Sequence, residues 1–164
     1  MKSIAFFAAA AATMIATPAF AQGAAASFTG PRVGVEIGVA DDDFLGTEET
    51  TYGFNAGYDF DLGNVVLGAT VNYTDVFDGD DIDFRELGVG ARAGMKVDPS
   101  ALLYPTVGYS DISVSNVSVD GVKLGLGGEV ALGQHLYANL ETRYASYDFD
   151  IDVYQTVIGV GYRF

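Results

Sequence analysis

From Pro31 to the last residue, apolar and polar side chains alternate with a period of two, in eight runs of about ten residues. That period belongs to a β-strand, whose successive side chains point to opposite faces. The runs predict strands at 31–40, 51–60, 65–74, 84–97, 101–111, 121–132, 136–147 and 153–164. One face collects Val33, Val35, Ile37 and Val39, then Phe54, Tyr58 and Phe60, and so on to Tyr154, Ile158, Val160, Tyr162 and Phe164. The other face holds Gly, Asn, Thr, Tyr and a few charges. Two kinds of barrel alternate in this way. A soluble barrel turns its apolar face inward, and a membrane barrel turns it outward to lipid.

Three features favour the membrane barrel. Of 15 Gly inside the runs, 14 fall on the polar face, with Gly128 the exception. A solvated exterior would carry Lys, Glu and Thr there, whereas a narrow lumen needs Gly to make room for its larger side chains. Aromatic residues sit at the ends of the apolar face: Phe54, Phe60, Tyr73, Tyr109, Tyr144, Tyr154 and Tyr162. Interfacial girdles have that distribution. The connections also alternate in length. Short ones at 61–64, 98–100 and 133–135 interleave with longer ones near 41–50, 75–83, 112–120 and 148–152. Short turns suit the periplasmic end and longer loops the outside. The fold class is thus all-β: an eight-stranded antiparallel up-and-down transmembrane β-barrel. It is closed because lipid cannot satisfy an open strand edge. Pro105 has no N–H for the ladder, so a bulge or local gap is expected there.

Ahead of the barrel, residues 1–21 have the form of a cleaved Sec-type signal peptide. Lys2 is the positive start, Ile4 to Ala16 the apolar run, and Ala19-Phe20-Ala21 the small-x-small cleavage site. The domain reading is signal peptide 1–21, short leader 22–29 and barrel 30–164, with the mature chain beginning at Gln22. Eight Lys and Arg stand against 22 Asp and Glu, a net charge of −14. That balance excludes nucleic acid as a partner, since binding it needs a basic footprint. There is no Cys, hence no thiolate metal site.

The inward charges are the leading functional candidates. By parity the polar face carries Arg32, Glu36, Glu86, Arg92, Lys123, Glu129, Glu141 and Arg143, with Lys96 and Arg163 near the periplasmic end. Unpaired charges in a narrow interior are costly, so pairing is expected. Glu36, Arg92, Glu129, Glu141 and Arg143 are expected near mid-height as one connected network, with Lys123 and Glu86 in the same lumen. The network either fills the lumen structurally or gates a narrow pore. Arg85 has outward parity at the outer rim, where a guanidinium suits lipopolysaccharide phosphate. The acidic runs Asp41–Asp43, Asp78–Asp83 and Asp148–Asp152 read as a solvated, cation-attracting rim, and the Asp78–Asp83 run lacks the spacing of a calcium loop. His135, the single His, lies in a short turn without the nucleophile that catalysis would require. No enzyme activity, metal or cofactor is expected.

The last residues, Gly159-Val160-Gly161-Tyr162-Arg163-Phe164, end on an aromatic and place outward aromatic and aliphatic groups at alternate positions. Here the chain resembles the small outer-membrane β-barrel family that includes the OmpA transmembrane domain, OmpX and the opacity-type surface proteins. The resemblance implies that Tyr162 and Phe164 form the signal read by the outer-membrane assembly machinery, after delivery by periplasmic chaperones. It also implies residence in the cell outer membrane, with lipid and lipopolysaccharide as partners. The oligomeric state stays open. Three roles follow in order: a structural, surface-exposed barrel with an ion-paired lumen; a narrow channel for small solutes; and a loop-mediated adhesin or ligand-binding protein.

Overall fold

Alternating β-branched, aromatic and small residues form long strands, which a computed structural model resolves in detail. It describes residues 27–42, 48–77, 84–114, 117–147 and 151–164. The predicted signal peptide, residues 22–26 of the leader, Asp43, the Asp78–Asp83 run, Asp148 and Asp150 lie outside the described residues. The strands are β1 Gly30–Asp42, β2 Glu48–Asp61, β3 Val65–Val76, β4 Phe84–Asp98, β5 Ala101–Val114, β6 Val117–Ala131, β7 Leu136–Tyr147 and β8 Ile151–Arg163. Each pairs antiparallel with the next, and β1 pairs with β8 to close the barrel. Val33 lies opposite Tyr162 across the seam, and Ile37 opposite Ile158.

Several strands run further toward the long-connection end than the alternation indicated. The β5–β6 ladder continues to Val114 opposite Val117, where a connection of 112–120 was expected. The physical reason is that alternation marks only the lipid-facing stretch. A hydrogen-bond ladder can continue past it, and here the outward positions turn polar, Asp111 opposite Asp120 and Ser113 opposite Ser118, while Ile112 and Val119 pack inward. Strands of 12 to 15 residues result, longer than the ~9–11 a tilted strand needs to cross a bilayer.

At Pro105 the β4–β5 ladder has a gap between Arg92 opposite Thr106 and Met95 opposite Leu103, with no change of register. The register shift of this pair lies elsewhere, between Lys96 and Asp98. In the short turn after β2, Gly63 adopts a φ of 97°. Its N–H donates to the Asp61 carboxylate at 2.9 Å, and the Leu62 N–H donates to the Val65 carbonyl at 2.8 Å.

The outward face is predominantly apolar: Val35, Ile37, Phe54, Val71, Leu87, Val107, Leu126 and Ile158 are about half exposed or more. Aromatic pairs mark its two limits. Tyr162–Phe164 at 5.0 Å and Tyr58–Phe60 at 4.8 Å lie at the short-turn end. Tyr52–Phe77 at 4.9 Å and Tyr144–Tyr154 at 5.1 Å lie at the other. Tyr52 to Phe60 and Tyr154 to Tyr162 both span eight residues, roughly 26 Å along a strand. Tilt reduces that to roughly 20 Å of height, near the ~25 Å apolar band of an outer-membrane barrel.

Candidate functional site

Parity sends charged side chains of β1, β2, β4, β6, β7 and β8 into the lumen, where they meet as clusters at different heights. Toward the short-turn end, Asp59 of β2 is fully buried. Arg92 of β4 grips it with both arms, Nε to Oδ1 at 3.0 Å and an Nη to Oδ2 at 2.6 Å. Arg163 of β8 donates to the same carboxylate at 3.0 Å, and Arg32 of β1 pairs with it at 3.2 Å. Glu129 of β6 closes the group, accepting from Arg92 and from Arg163 at 2.8 Å each. The position is sterically prepared. Gly68 lies opposite both Asp59 and Arg92 in the ladder, and a Cβ there would run into the Asp59 carboxylate.

The next cluster is built on Arg143 of β7. It donates to both oxygens of Glu36 at 2.6 and 3.0 Å and to Glu141 at 2.9 Å. Asn55 donates to Glu36, and Thr106 and Tyr104 donate to Glu141. Above it, Lys123 pairs with Glu86, and Ser110 shares a hydrogen bond with Tyr147 at 3.0 Å. At the short-turn mouth Lys96 pairs with Asp61 at 2.5 Å, each partly exposed.

The charges balance only across clusters. Three arginines face two carboxylates in the lower group, and one arginine faces two in the upper. The groups therefore carry +1 and −1. Tyr104 bridges them, with its ring 4.8 Å from the Arg92 guanidinium and its hydroxyl donating to Glu141 at 3.2 Å. In a low-dielectric interior opposite net charges on adjacent clusters attract each other strongly, so their stability is shared.

The five residues expected in one network thus divide. Glu36, Glu141 and Arg143 form one cluster, Arg92 and Glu129 belong to the other, and Tyr104 is the link. Asp59, on which three arginines converge, was missing from the sequence reading. Its signal was its inward parity with Asn55 and Gly57, masked by its position two residues before the short turn. Tyr104 was missed because an inward tyrosine carries no charge to flag it.

Arg85 is exposed and shares outward parity with Leu87 and Val89. Among the described residues it is the only Lys or Arg outside an ion pair. Tyr162 and Phe164 are exposed on the outer face, 40% and 66% respectively. His135 stacks on Tyr162 at 5.2 Å, and its Nδ1 shares a hydrogen bond with the Arg163 carbonyl at 2.9 Å, tying the turn to the last strand. Asp98 accepts from both the N–H and the hydroxyl of Ser100 in another short turn, which holds its carboxyl below the usual range. No group of His, Asp or Glu suited to hold a metal occurs among the described residues.

An apolar exterior bounded by two aromatic belts around a polar, glycine-rich lumen is the build of a bacterial outer-membrane barrel. The sequence matches a family model described as outer membrane protein beta-barrel domain over residues 7–164. The chain belongs to this family. Integral residence in the outer membrane follows, with the short turns toward the periplasm and the longer connections outside. No curated protein matches the sequence. Among solved structures, the barrel resembles Ail, the attachment invasion locus protein of Yersinia pestis, at TM-score 0.61 and 19% identity, covering 83% of this chain and 97% of that one. It also resembles the N-terminal β-barrel domain of Pseudomonas aeruginosa OprF, at TM-score 0.62 and 16% identity, covering 83% and 99%. Neisserial surface protein A aligns at TM-score 0.56 and 12% identity, covering 84% and 98%. At these identities the likeness establishes the shared fold.

Proposed function

We propose that this outer-membrane barrel is a structural, surface-exposed envelope protein, without catalytic chemistry, whose lumen is plugged by ion pairs. The observation that carries the reading is the completeness of the pairing. Arg32, Arg92, Lys96, Lys123, Arg143 and Arg163 all face carboxylates of the lumen and its mouth. The cavity left among Arg32, Arg92, Lys123 and Arg143 is about 60 Å³, room for a few waters and little else. A solute would have to break buried pairs to pass. The narrow-channel alternative draws support from the unpartnered Asn55 Oδ1, Asn72 Nδ2 and Thr74 Oγ1, which offer water a foothold higher in the lumen.

The exterior charge bears on the surface role. Of the 22 acids, six pair in the lumen and its mouth and Asp98 sits in a periplasmic turn; the other fifteen lie in or beside the four longer connections, with Arg85 as the one base there. One structure of Ail holds the heparin analogue sucrose octasulfate. An acidic surface repels a polysulfated ligand, so a loop-mediated ligand of this chain would be cationic or neutral. Lipopolysaccharide contact falls to Arg85, and recognition by periplasmic chaperones and the assembly machinery to Tyr162 and Phe164.

The test is paired. The parent barrel in planar bilayers should show no steady conductance. Arg143→Ala leaves Glu36 and Glu141 without their shared partner, and should both lower stability to urea in lipid and open a conductance. If the parent conducts steadily and Arg143→Ala changes neither property, the narrow-channel reading takes first place.

A further inference from the structure

The lumen is polar through its middle, with an apolar cluster of Ile112, Ala145 and Tyr147 toward its outer end; at the periplasmic end, beside the Lys96–Asp61 pair, apolar groups line it as well. Val66 and Leu102 occupy the first inward positions of β3 and β5, with Tyr104 one step above, and all three are buried. An apolar collar at a water-facing mouth is stable only if something covers it. What covers it comes from the leader. The Phe28 side chain is fully buried against Val66, Leu102 and Tyr104. Its ring lies 5.3 Å from the Arg163 guanidinium and 5.5 Å from the Lys96 ammonium, within cation–π range of both. The backbone on either side is held as well. Arg163 donates to the Ser27 carbonyl at 3.5 Å, and the Thr29 hydroxyl donates to the Asp59 carbonyl at 3.2 Å.

We propose that residues 27–29 form a plug, anchored by Phe28, that seals the periplasmic mouth of the lumen separately from the ion pairs. The plug deepens the closed-lumen reading and rests on it for orientation. It differs in chemistry. The ion pairs are part of the barrel wall, whereas Phe28 belongs to a segment that enters β1 only at Gly30. It can therefore leave its collar without breaking a strand ladder. A periplasmic solute would meet Phe28 before it met Arg92 or Glu129.

The absence of cysteine allows a direct test. A thiol is introduced under the ring by Val66→Cys, and a control thiol by Leu62→Cys in the adjacent exposed turn. Both are read with a charged, water-soluble methanethiosulfonate on the refolded mature barrel. With Phe28 in place the V66C thiol should react slowly and the L62C thiol quickly. Phe28→Ala should speed the V66C reaction about tenfold or more, since protection of a buried group scales with how rarely its cover opens. Phe28→Leu, which refills the collar, should restore most of the protection. If V66C reacts as fast as L62C while Phe28 is intact, or if Phe28→Ala leaves its rate unchanged, the plug is refuted. The two readings fail separately. Steady conduction by the parent overturns the closed lumen whatever the thiol does, and loss of thiol protection overturns the plug whatever the conductance.

Discussion

Replacing Asp59 with Asn is the sharpest perturbation of the lumen, because the shape is kept and only the charge is removed. In the parent, the fully buried carboxylate takes two bonds from Arg92 at 3.0 and 2.6 Å, one from Arg163 at 3.0 Å, and an ion pair from Arg32 at 3.2 Å. After Asp59→Asn only Glu129 remains to balance three guanidiniums, and the cluster moves from +1 to +2. Arginine does not neutralise by losing its proton, so the loss is not relieved by titration. Removing one partner of a buried pair costs about 3–5 kcal/mol. The mouth pair supplies an internal control. Lys96 and Asp61 are joined at 2.5 Å but each is 22% exposed, so Asp61→Asn should cost about 0–1 kcal/mol. The gap between the variants is about 3 kcal/mol, or about two decades in the unfolding constant. The chain has no Trp, so urea unfolding in lipid vesicles is followed by far-ultraviolet circular dichroism. If Asp59→Asn falls within about 1 kcal/mol of Asp61→Asn, water solvates the lower cluster and the argument from burial is wrong.

Deleting Phe164 should lower outer-membrane yield in cells while refolding in detergent survives. Equal yields for variant and parent would count against its role in assembly. Amino-terminal sequencing of the membrane-extracted protein should read from Gln22, and retention of residues 1–21 would sink the export argument. Arg85→Glu reverses the single outward base, and should weaken co-purification with lipopolysaccharide without changing stability by more than about 0.5 kcal/mol. Unchanged lipopolysaccharide content would remove Arg85 as a contact.

Much of this molecule is legible one residue at a time. A membrane barrel repeats a single rule on every strand, outward apolar and inward small or polar, so Val35 and Glu36, or Leu126 and Gly127, disclose their faces without knowledge of their partners. Arg85 beside Glu86 illustrates it: neighbours in sequence, one is exposed and the other buried. Strand ends were less legible. At Val114 and Val117 the ladder outlasts the alternation, because hydrogen bonding between backbones does not require lipid on one side.

Which inward charges meet was decided by register and height, and these are properties of the closed barrel. Asp59, Arg92 and Arg163 are 33 and 71 residues apart along the chain; the ladder aligns Asp59 and Arg92 on either side of Gly68, and closure of β8 on β1 delivers Arg163 to the same carboxylate. The division of the charges into a +1 and a −1 group, and the place of Tyr104 between them, follow from the same geometry. Phe28 is the extreme case. It lies outside any strand, so no period constrains it, and only the apolar collar formed by Val66 and Leu102 gives it a place to bury. Periodicity in the chain determined the faces, the closure and the membrane. Contacts within the lumen belong to the tertiary structure, because a side chain's orientation is local information and its partner is not.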